Sequence, residues 1–384
     1  MKRVMFQLHL WTGLTLGLVI SLISLSGSAI VFQPEIDRWL NPGLLTAEPT
    51  RATAPLDTVI DTAFSAYPTQ APPSFSAFSY PRTENGVFRV LMKEGFEPGD
   101  APFFEAMVHP GTGALLGTRD VDEPLVYWLL NLHATLLLGE DGGGERIVGL
   151  AGSLGLLFFI VTGLWLWWPG IRRFARGFRL RLRAGLDTAL RDSHRVLGAL
   201  ALILLFLPVV SGAFIVFPDT MAAPVQALLP TGTDEDIPAI TPAGRTALPA
   251  ERLLAAAKAA VPNGTVTGFF PPGGPDGYFQ FRLQRPGEPD QHYTQGRVQV
   301  LVNPYAPEQL YVRDEAAWPI GDRLTRVWMF PTHTGEIFGL PGRILIFLSG
   351  LVAPILFVTG LLTWARRKTR KAKRAQKARE RMAS

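Results

Sequence analysis

The sequence predicts a membrane α-helical fold: a four-helix transmembrane bundle made of two parallel repeats, with two α+β units outside the bilayer. Three observations predict it. Four long apolar stretches punctuate the chain, Lys and Arg gather on one side of those stretches, and the second half of the sequence matches the first in register.

The spans come first. A bilayer core of roughly 30 Å needs about 20 apolar residues in a helix. Val4–Phe32, Ile147–Trp168, Val196–Phe217 and Ile344–Trp364 meet that length without an Asp, Glu, Lys or Arg, and His9 is their one ionisable residue. With 47% hydrophobic residues among 384, the chain is too apolar for an ordinary soluble protein of its size. Lys2 and Arg3 precede an apolar run, and Ser28-Ala29 has the look of a cleavage site. The apolar core of a signal peptide is only about 7–15 residues, however, so the longer run here reads as an uncleaved anchor.

The formal charge of +5 follows the membrane and gives no nucleic-acid signal. Lys2 and Arg3 precede the first span; Arg172, Arg173, Arg176, Arg179, Arg181, Arg183, Arg191 and Arg195 fill the loop between spans two and three; the segment from Arg366 to Arg381 is dense in Lys and Arg. The two long inter-span segments, 34–143 and 218–322, carry more acids than bases. The positive-inside rule therefore places both termini and the Arg loop in the cytoplasm and the long segments outside. The expected order is a first span (1–33), an external unit (34–123) and a short His-bearing segment plus span (124–169). A basic loop (170–193), a third span (194–217), a second external unit (218–322), a second His-bearing segment plus span (323–365) and a basic tail (366–384) follow. The tail suits contact with anionic lipid headgroups, or with an acidic electron-donor protein.

The chain has no cysteine, which excludes disulfides, Cys-ligated iron–sulfur clusters, zinc ribbons and covalently attached c-type haem.

The repeat appears when the sequence is slid along itself. His9-Leu-Trp-Thr-Gly13 runs with His194-Arg-Val-Leu-Gly198, and Ser26-Gly27-Ser-Ala-Ile-Val-Phe32 with Ser211-Gly212-Ala-Phe-Ile-Val-Phe217. Trp128, His133 and Gly139 match Trp328, His333 and Gly339; Arg146 matches Arg343, Val161-Thr-Gly163 matches Val358-Thr-Gly360, and Trp167 matches Trp364. Both halves start in the cytoplasm, so the repeats are parallel and related by an axis along the membrane normal.

The external segments share a pattern too. Pro55–Tyr67 predicts a helix, and Phe75–Tyr80, Val87–Lys93, Phe103–Val108 and Ala114–Thr118 predict strands. Ala250–Ala260 and then Val266–Phe270, Tyr278–Leu283, Val298–Val302 and Gln309–Val312 predict the same order again.

Four of the six histidines obey the repeat. His9 and His194 open spans on the cytoplasmic side, and His133 and His333 stand just before spans that begin outside. A two-fold along the normal brings equivalents face to face, as His9/His194 near the inner surface and His133/His333 near the outer. Facing histidines in a helical bundle suit axial ligation of non-covalent b-type haem iron, and two haems at two depths would form a wire for electrons. Other readings stay open: an amphipathic interfacial role, zinc or copper, for which a two-His site lacks the usual third ligand, or proton relay, for which no intramembrane acid continues the path. Arg146 and Arg343 are candidates to pair with haem propionates, or snorkel at the interface. Trp128 and Trp328 suit either porphyrin packing or the aromatic belt. Gly13, Gly17, Gly27, Gly163, Gly198, Gly212 and Gly360 suit close helix packing or room for a flat macrocycle. His109 aligns with Asn303 at a turn and reads as structural; His292 has no partner in the repeat and is a weak candidate for substrate contact.

Gly111-Thr-Gly113-Ala-Leu-Leu-Gly117 lacks the spacing of a dinucleotide loop, and no nicotinamide or flavin fingerprint stands elsewhere, so a reductant comes from a partner, the cytoplasm or the bilayer.

The opening His9-Leu-Trp-Thr-Gly13-Leu with Ser26-Gly27, the Leu132-His133 segment and the Thr162-Gly163…Trp167 end resemble the PepSY-associated transmembrane family. The external units resemble PepSY-like domains, with Val108-His-Pro-Gly-Thr-Gly113 and Val302-Asn-Pro304 in the strand-turn pattern. Within that family, the length and four-span layout look like its inner-membrane ferrisiderophore reductases. The resemblance implies two non-covalent haem b groups, with His9, His194, His133 and His333 as ligands to iron. It also implies one-sided reduction: electrons enter near His9/His194, reach His133/His333, and release ferrous iron from a periplasmic ferric-siderophore. No side chain is needed as acid or base. Two other classes compete: a membrane-anchored PepSY module that binds or restrains a partner, and an iron-complex permease.

Overall fold

The computed structural model describes the chain except residues 70–72, 96–102, 140–141, 233–236, 243, 289–295 and 384. Among the described residues, four helical stretches are long and apolar enough to cross a membrane: Lys2–Ile30, Gly144–Trp167, Leu186–Val216 and Glu336–Met382.

The first is helix α1 (Lys2–Ile30), which passes into the short helices α2 (Gln33–Leu40) and α3 (Pro42–Leu45). Pro34 and Pro42 sit in the first turns of α2 and α3, where a missing N–H costs nothing. Helix α4 (Leu56–Ser65) precedes strands β1 (Phe75–Ser79), β2 (Phe88–Lys93), β3 (Phe104–Val108) and β4 (Leu115–Asp120). Helix α5 (Leu125–Thr135) leads to the second span, α6 (Gly144–Leu150) and α7 (Leu156–Trp167), joined through a π-helical turn over Ala151–Gly155. The third span is α8 (Leu186–Val216), followed by α9 (Pro218–Leu228) and α10 (Ala250–Ala260). Strands β5 (Thr265–Phe270), β6 (Phe279–Gln284), β7 (Val298–Val302) and β8 (Leu310–Asp314) come next, then the short helices α11 (Ile320–Asp322) and α12 (Met329–Thr334). The fourth span is α13 (Gly339–Gly350) and α14 (Val352–Ala383).

Two helices outrun the apolar stretches that predicted them. Helix α8 starts at Leu186, inside the expected loop, because Gly185 turns the chain at φ +88° and Asp187 sits in the first turn, where the helix dipole favours an acid. Asp192, buried one turn further on, is held by Arg181 at 2.8 Å and Arg195 at 3.5 Å. The basic tail continues α14 because no Gly or Pro follows Gly360 to stop it.

Outside the bundle the two expected α+β units share one sheet. All eight strands run antiparallel in the order β4-β3-β2-β1-β5-β6-β7-β8. The edge strands β1 and β5 would each leave a row of unpaired backbone groups, and here they pair with one another. Phe78 and Phe269 face each other in that register and stack at 4.4 Å. Helices α4 and α10 cover one face, with Leu56, Val59 and Leu253 in a common core with Phe78, Phe88, Phe269 and Phe281. Their N-termini cap each other: Leu56 N–H donates to Glu251 at 2.7 Å, and Ala250 N–H donates to Asp57 at 2.9 Å.

The sheet is tied to the bundle by a buried charge cluster. Asp37 of α2 is 1% exposed and Glu105 of β3 is 2% exposed. Arg119 of β4 grips Asp37 with both Nη atoms, at 2.9 and 2.7 Å, and donates through Nε to Glu105 at 2.8 Å. Arg89 of β2 donates to the other Glu105 oxygen at 2.6 Å and to the Tyr127 hydroxyl of α5 at 3.2 Å. Burial alone would raise the Asp37 carboxyl, but the Arg119 hydrogen bonds and the charges of Arg119 and Arg89 outweigh it and hold the group below its ordinary value.

Candidate functional site

Helices α1 and α8 carry the bundle's histidine sites at two depths. His9 stands near the start of α1, and its ring centre lies 6.4 Å from that of His194 on α8. His133 on α5 and His333 on α12 meet with ring centres 5.9 Å apart. Fourteen residues separate His9 from Ile23, against which His133 docks, and fourteen separate His194 from Pro208, against which His333 docks. At about 1.5 Å per residue the two pairs stand roughly 20 Å apart along the bundle, a separation smaller than the roughly 30 Å thickness of a hydrocarbon layer.

Each ring is fixed through the same nitrogen. His133 Nδ1 lies 2.8 Å from the Ile23 carbonyl oxygen, and His333 Nδ1 lies 3.1 Å from that of Pro208. His194 Nδ1 is 3.0 Å from the Leu356 carbonyl oxygen and 3.0 Å from Thr359 Oγ1. A carbonyl oxygen only accepts, so these three imidazoles carry their proton on Nδ1. His9 reaches the same state by one more step. Its Nδ1 is 2.7 Å from Thr162 Oγ1, and that hydroxyl already donates to the Phe158 carbonyl at 2.7 Å. It must then accept from His9. In the neutral form of each of the four rings Nε2 is then left with an in-plane lone pair, the arrangement a metal-binding histidine takes.

Glycines make the seats. A Cβ on Gly27 would stand 2.6 Å from the His133 ring, one on Gly212 3.1 Å from His333, one on Gly360 3.2 Å from His194, and one on Gly163 3.6 Å from His9. Of the glycines singled out in the sequence, these four admit histidine rings against helix backbones. Gly17 instead admits Phe357, whose ring would stand 3.0 Å from a Cβ at that position, and Gly13 faces Phe159 at 3.8 Å.

His9 and His194 open into a cavity of about 1160 Å³, somewhat larger than the usual range for ligand pockets (~300–1,000 Å³). Gly13, Gly163, Gly198 and Gly360 line it, with Phe159 and Leu356 among its apolar walls. Among the described residues, no group of three or more His, Asp or Glu gathers as a metal cluster.

The remaining candidates separate. Arg343 is buried, and its guanidinium holds both carboxylate oxygens of Glu35 at 2.6 and 2.7 Å, the Val31 carbonyl at 2.8 Å, and the face of Phe32 at 4.6 Å. Arg146, its match in the sequence, is exposed. Trp128 is 46% exposed, and the Trp328 ring lies under the Arg323 guanidinium at 5.3 Å. His109 Nδ1 accepts from Gly111 N–H at 3.1 Å and Thr112 N–H at 3.2 Å, closing the β3–β4 turn. The Gly111–Gly117 run makes that turn and enters β4. His292 lies outside the described residues.

Sequence reasoning missed the residues that aim the rings: Thr162, Thr359, Ser211 and the carbonyls of Ile23, Leu356 and Pro208. Ser211 Oγ lies 3.2 Å from His333 Nδ1. The side chains among these carried a signal, since Thr162 matches Thr359 and Ser26 matches Ser211 in the two halves.

A family model described as the PepSY-associated TM region matches residues 6–367. No curated protein matches the chain.

Proposed function

The chain belongs to the PepSY-associated TM region family, a multi-pass membrane family, and from that premise we propose that it is a di-haem b oxidoreductase of the bacterial inner membrane that reduces periplasmic ferric-siderophores. In this reading the chain is two parallel repeats, both termini and the Arg loop are cytoplasmic, and the eight-stranded sheet lies in the periplasm. Electrons come from a cytoplasmic or membrane donor.

The observation that carries the reading is the common state of the four histidines: Nδ1 bound, Nε2 bare, in two facing pairs. The spacing fits as well. Two metal–imidazole bonds of about 2 Å, with roughly 1 Å from each nitrogen to its ring centre, put facing rings about 6 Å apart, against 6.4 and 5.9 Å here. The cavity at His9/His194 has the room and the apolar walls that a macrocycle needs.

When bound, each haem supplies a one-electron ferric–ferrous couple. The chain's own part is to hold and tune. The Nδ1 hydrogen bonds fix the plane of each ring and raise the basicity of its Nε2, which favours the ferric state. The glycine seats let the imidazoles approach the helix backbones. The buried Asp37–Arg119–Glu105–Arg89 cluster, through Tyr127, fixes the helix that carries His133. No side chain acts as acid or base, since a ferric centre gains one electron and the siderophore then holds ferrous iron weakly.

The test is turnover in proteoliposomes. Protein reduced under anaerobic conditions should be reoxidised by an added ferric-siderophore, with one ferrous ion trapped by an external chelator per haem oxidised. Haem-loaded protein that stays reduced while the complex stays ferric would end the reductase reading.

A further inference from the structure

The cavity at His9 and His194 has an apolar floor and a basic mouth. At the end of the bundle that bears both termini, Arg191, Arg195, Arg366, Arg367 and Arg370 line it, and Asp187 is the one acid among its lining residues. Asp187 is engaged by Arg366 and Arg370, and Arg191 donates through Nε to the Asp187 carbonyl at 3.1 Å. Arg195 differs from these. Its Nη2 donates to the Arg179 carbonyl at 2.9 Å and stands 3.5 Å from Asp192, while its Nε–H is buried and meets no acceptor. A buried guanidinium N–H without a partner is costly, and its usual partner is a carboxylate or phosphate oxygen. Arg195 follows His194 in the chain and lines the same cavity.

We propose that Arg195, with Arg191 and Arg367, which line the same cavity, forms a carboxylate-binding subsite for the acidic side arms of the tetrapyrrole held between His9 and His194. The inference rests on the haem reading above. It gives this inner site side-arm contacts of its own, separate from Arg146 and Arg343, neither of which lines the cavity. Arg343 already holds a carboxylate, that of Glu35. It also gives the tetrapyrrole a direction: its apolar edge lies deep in the bundle and its acids face the mouth, where cationic side chains replace the water they would lose.

The full-length protein in detergent, in a His333→Ala background that leaves only the pair at His9 and His194, is stripped of haem and titrated with haem and with haem dimethyl ester. The ester has the same ring and iron and no acidic arms. The unmodified subsite should take haem about tenfold or more tightly than the ester. Arg195→Gln should lose about tenfold in haem affinity and nothing in ester affinity, and Arg195→Lys, which keeps the charge without the fork, should recover part of the loss. Equal weakening toward both ligands would mean that Arg195 only packs, and no weakening toward either would overturn the subsite directly. A protein that takes up haem and ester equally before mutation also overturns the subsite while leaving the haem reading intact. A protein that takes up neither overturns both. In the chain with all four histidines, Arg195→Gln should leave occupancy at His133/His333 unchanged, which separates the subsite from a folding defect.

Discussion

His9 Nδ1 and Thr162 Oγ1 stand 2.7 Å apart, and because the threonine hydroxyl already donates to Phe158, the proton between them belongs to the histidine. The threonine thus decides which imidazole nitrogen faces the cavity. Thr162→Val keeps the shape and removes the acceptor. The haem at His9/His194 should then bind about tenfold or more weakly, and its midpoint potential should move upward, because a less basic imidazole favours the ferric state less. Thr162→Ser should restore both. Spectroelectrochemical titration reads the potential, and a variant with unchanged potential and affinity would break the link between this hydrogen bond and the site.

The glycine seats make a graded prediction. Gly27→Ala puts a methyl group 2.6 Å from the His133 ring, whereas Gly163→Ala meets His9 at 3.6 Å, ordinary van der Waals contact. Overpacking of the first kind costs about 1–3 kcal/mol. Gly27→Ala should therefore lose the haem at His133/His333 or melt at a lower temperature, and Gly163→Ala should do neither. Side-by-side spectra and thermal melts of the two variants decide the matter; matching behaviour would mean that ring clearance is not what the glycines provide.

Asp37 sets a pH limit on the joint between sheet and bundle. Its carboxyl lies below the ordinary carboxylate range in the folded protein, so the unfolded chain binds its proton first as pH falls. The stabilisation is complete above the ordinary value near pH 4 and is lost as pH drops through the folded value. Thermal melts should stay level on this account from pH 7 to about pH 5 and fall steeply below it. Asp37→Asn leaves the buried Arg119 and the half-buried Arg89 facing one carboxylate and should cost about 3–5 kcal/mol at neutral pH. It should also flatten the acid limb of the profile. An Asn variant that melts like the parent would show the cluster to be energetically neutral.

Much of this was legible in the sequence, and the reasons for the rest are physical. Runs of about 20 apolar residues mark spans whatever packs on them, and period-two alternation marks β6, whose residues Phe279, Phe281 and Leu283 are buried between half-exposed neighbours. Ala250–Ala260 was readable to the residue. The joining of the two α+β units was not, because the β1–β5 pair rests on two matched positions nearly 190 residues apart and has no local signature. The Asp37 cluster draws on α2, β2, β3, β4 and α5, and nothing in any one of those segments announces the others. The early start of α8 was hidden by its polar first turns, which hydropathy alone scores as loop. His9, His133, His194 and His333 stood out because the two halves of the sequence match at those positions, but the ring tautomers are set by backbone carbonyls and, at His9, by the Thr162 hydroxyl, contacts that no sequence displays.

The histidine pairs are separable by mutation. His9→Ala or His194→Ala should remove one haem, and His133→Ala or His333→Ala should remove the other, so each single variant retains about half the haem of the parent. A double variant with one change in each pair should retain none. Loss of both haems from every single variant would point to a shared folding role for the histidines in place of separate ligation.

The measurement to make first is the haem count of the purified protein: a pyridine haemochrome assay on full-length chain from haem-replete cells, with spectra before and after dithionite. Two b-type haems per chain, with a sharpened α band on reduction, is the result that two bis-histidine sites require. A colourless protein would contradict it, and a membrane-anchored module that binds or restrains a partner would then be the better description of this chain.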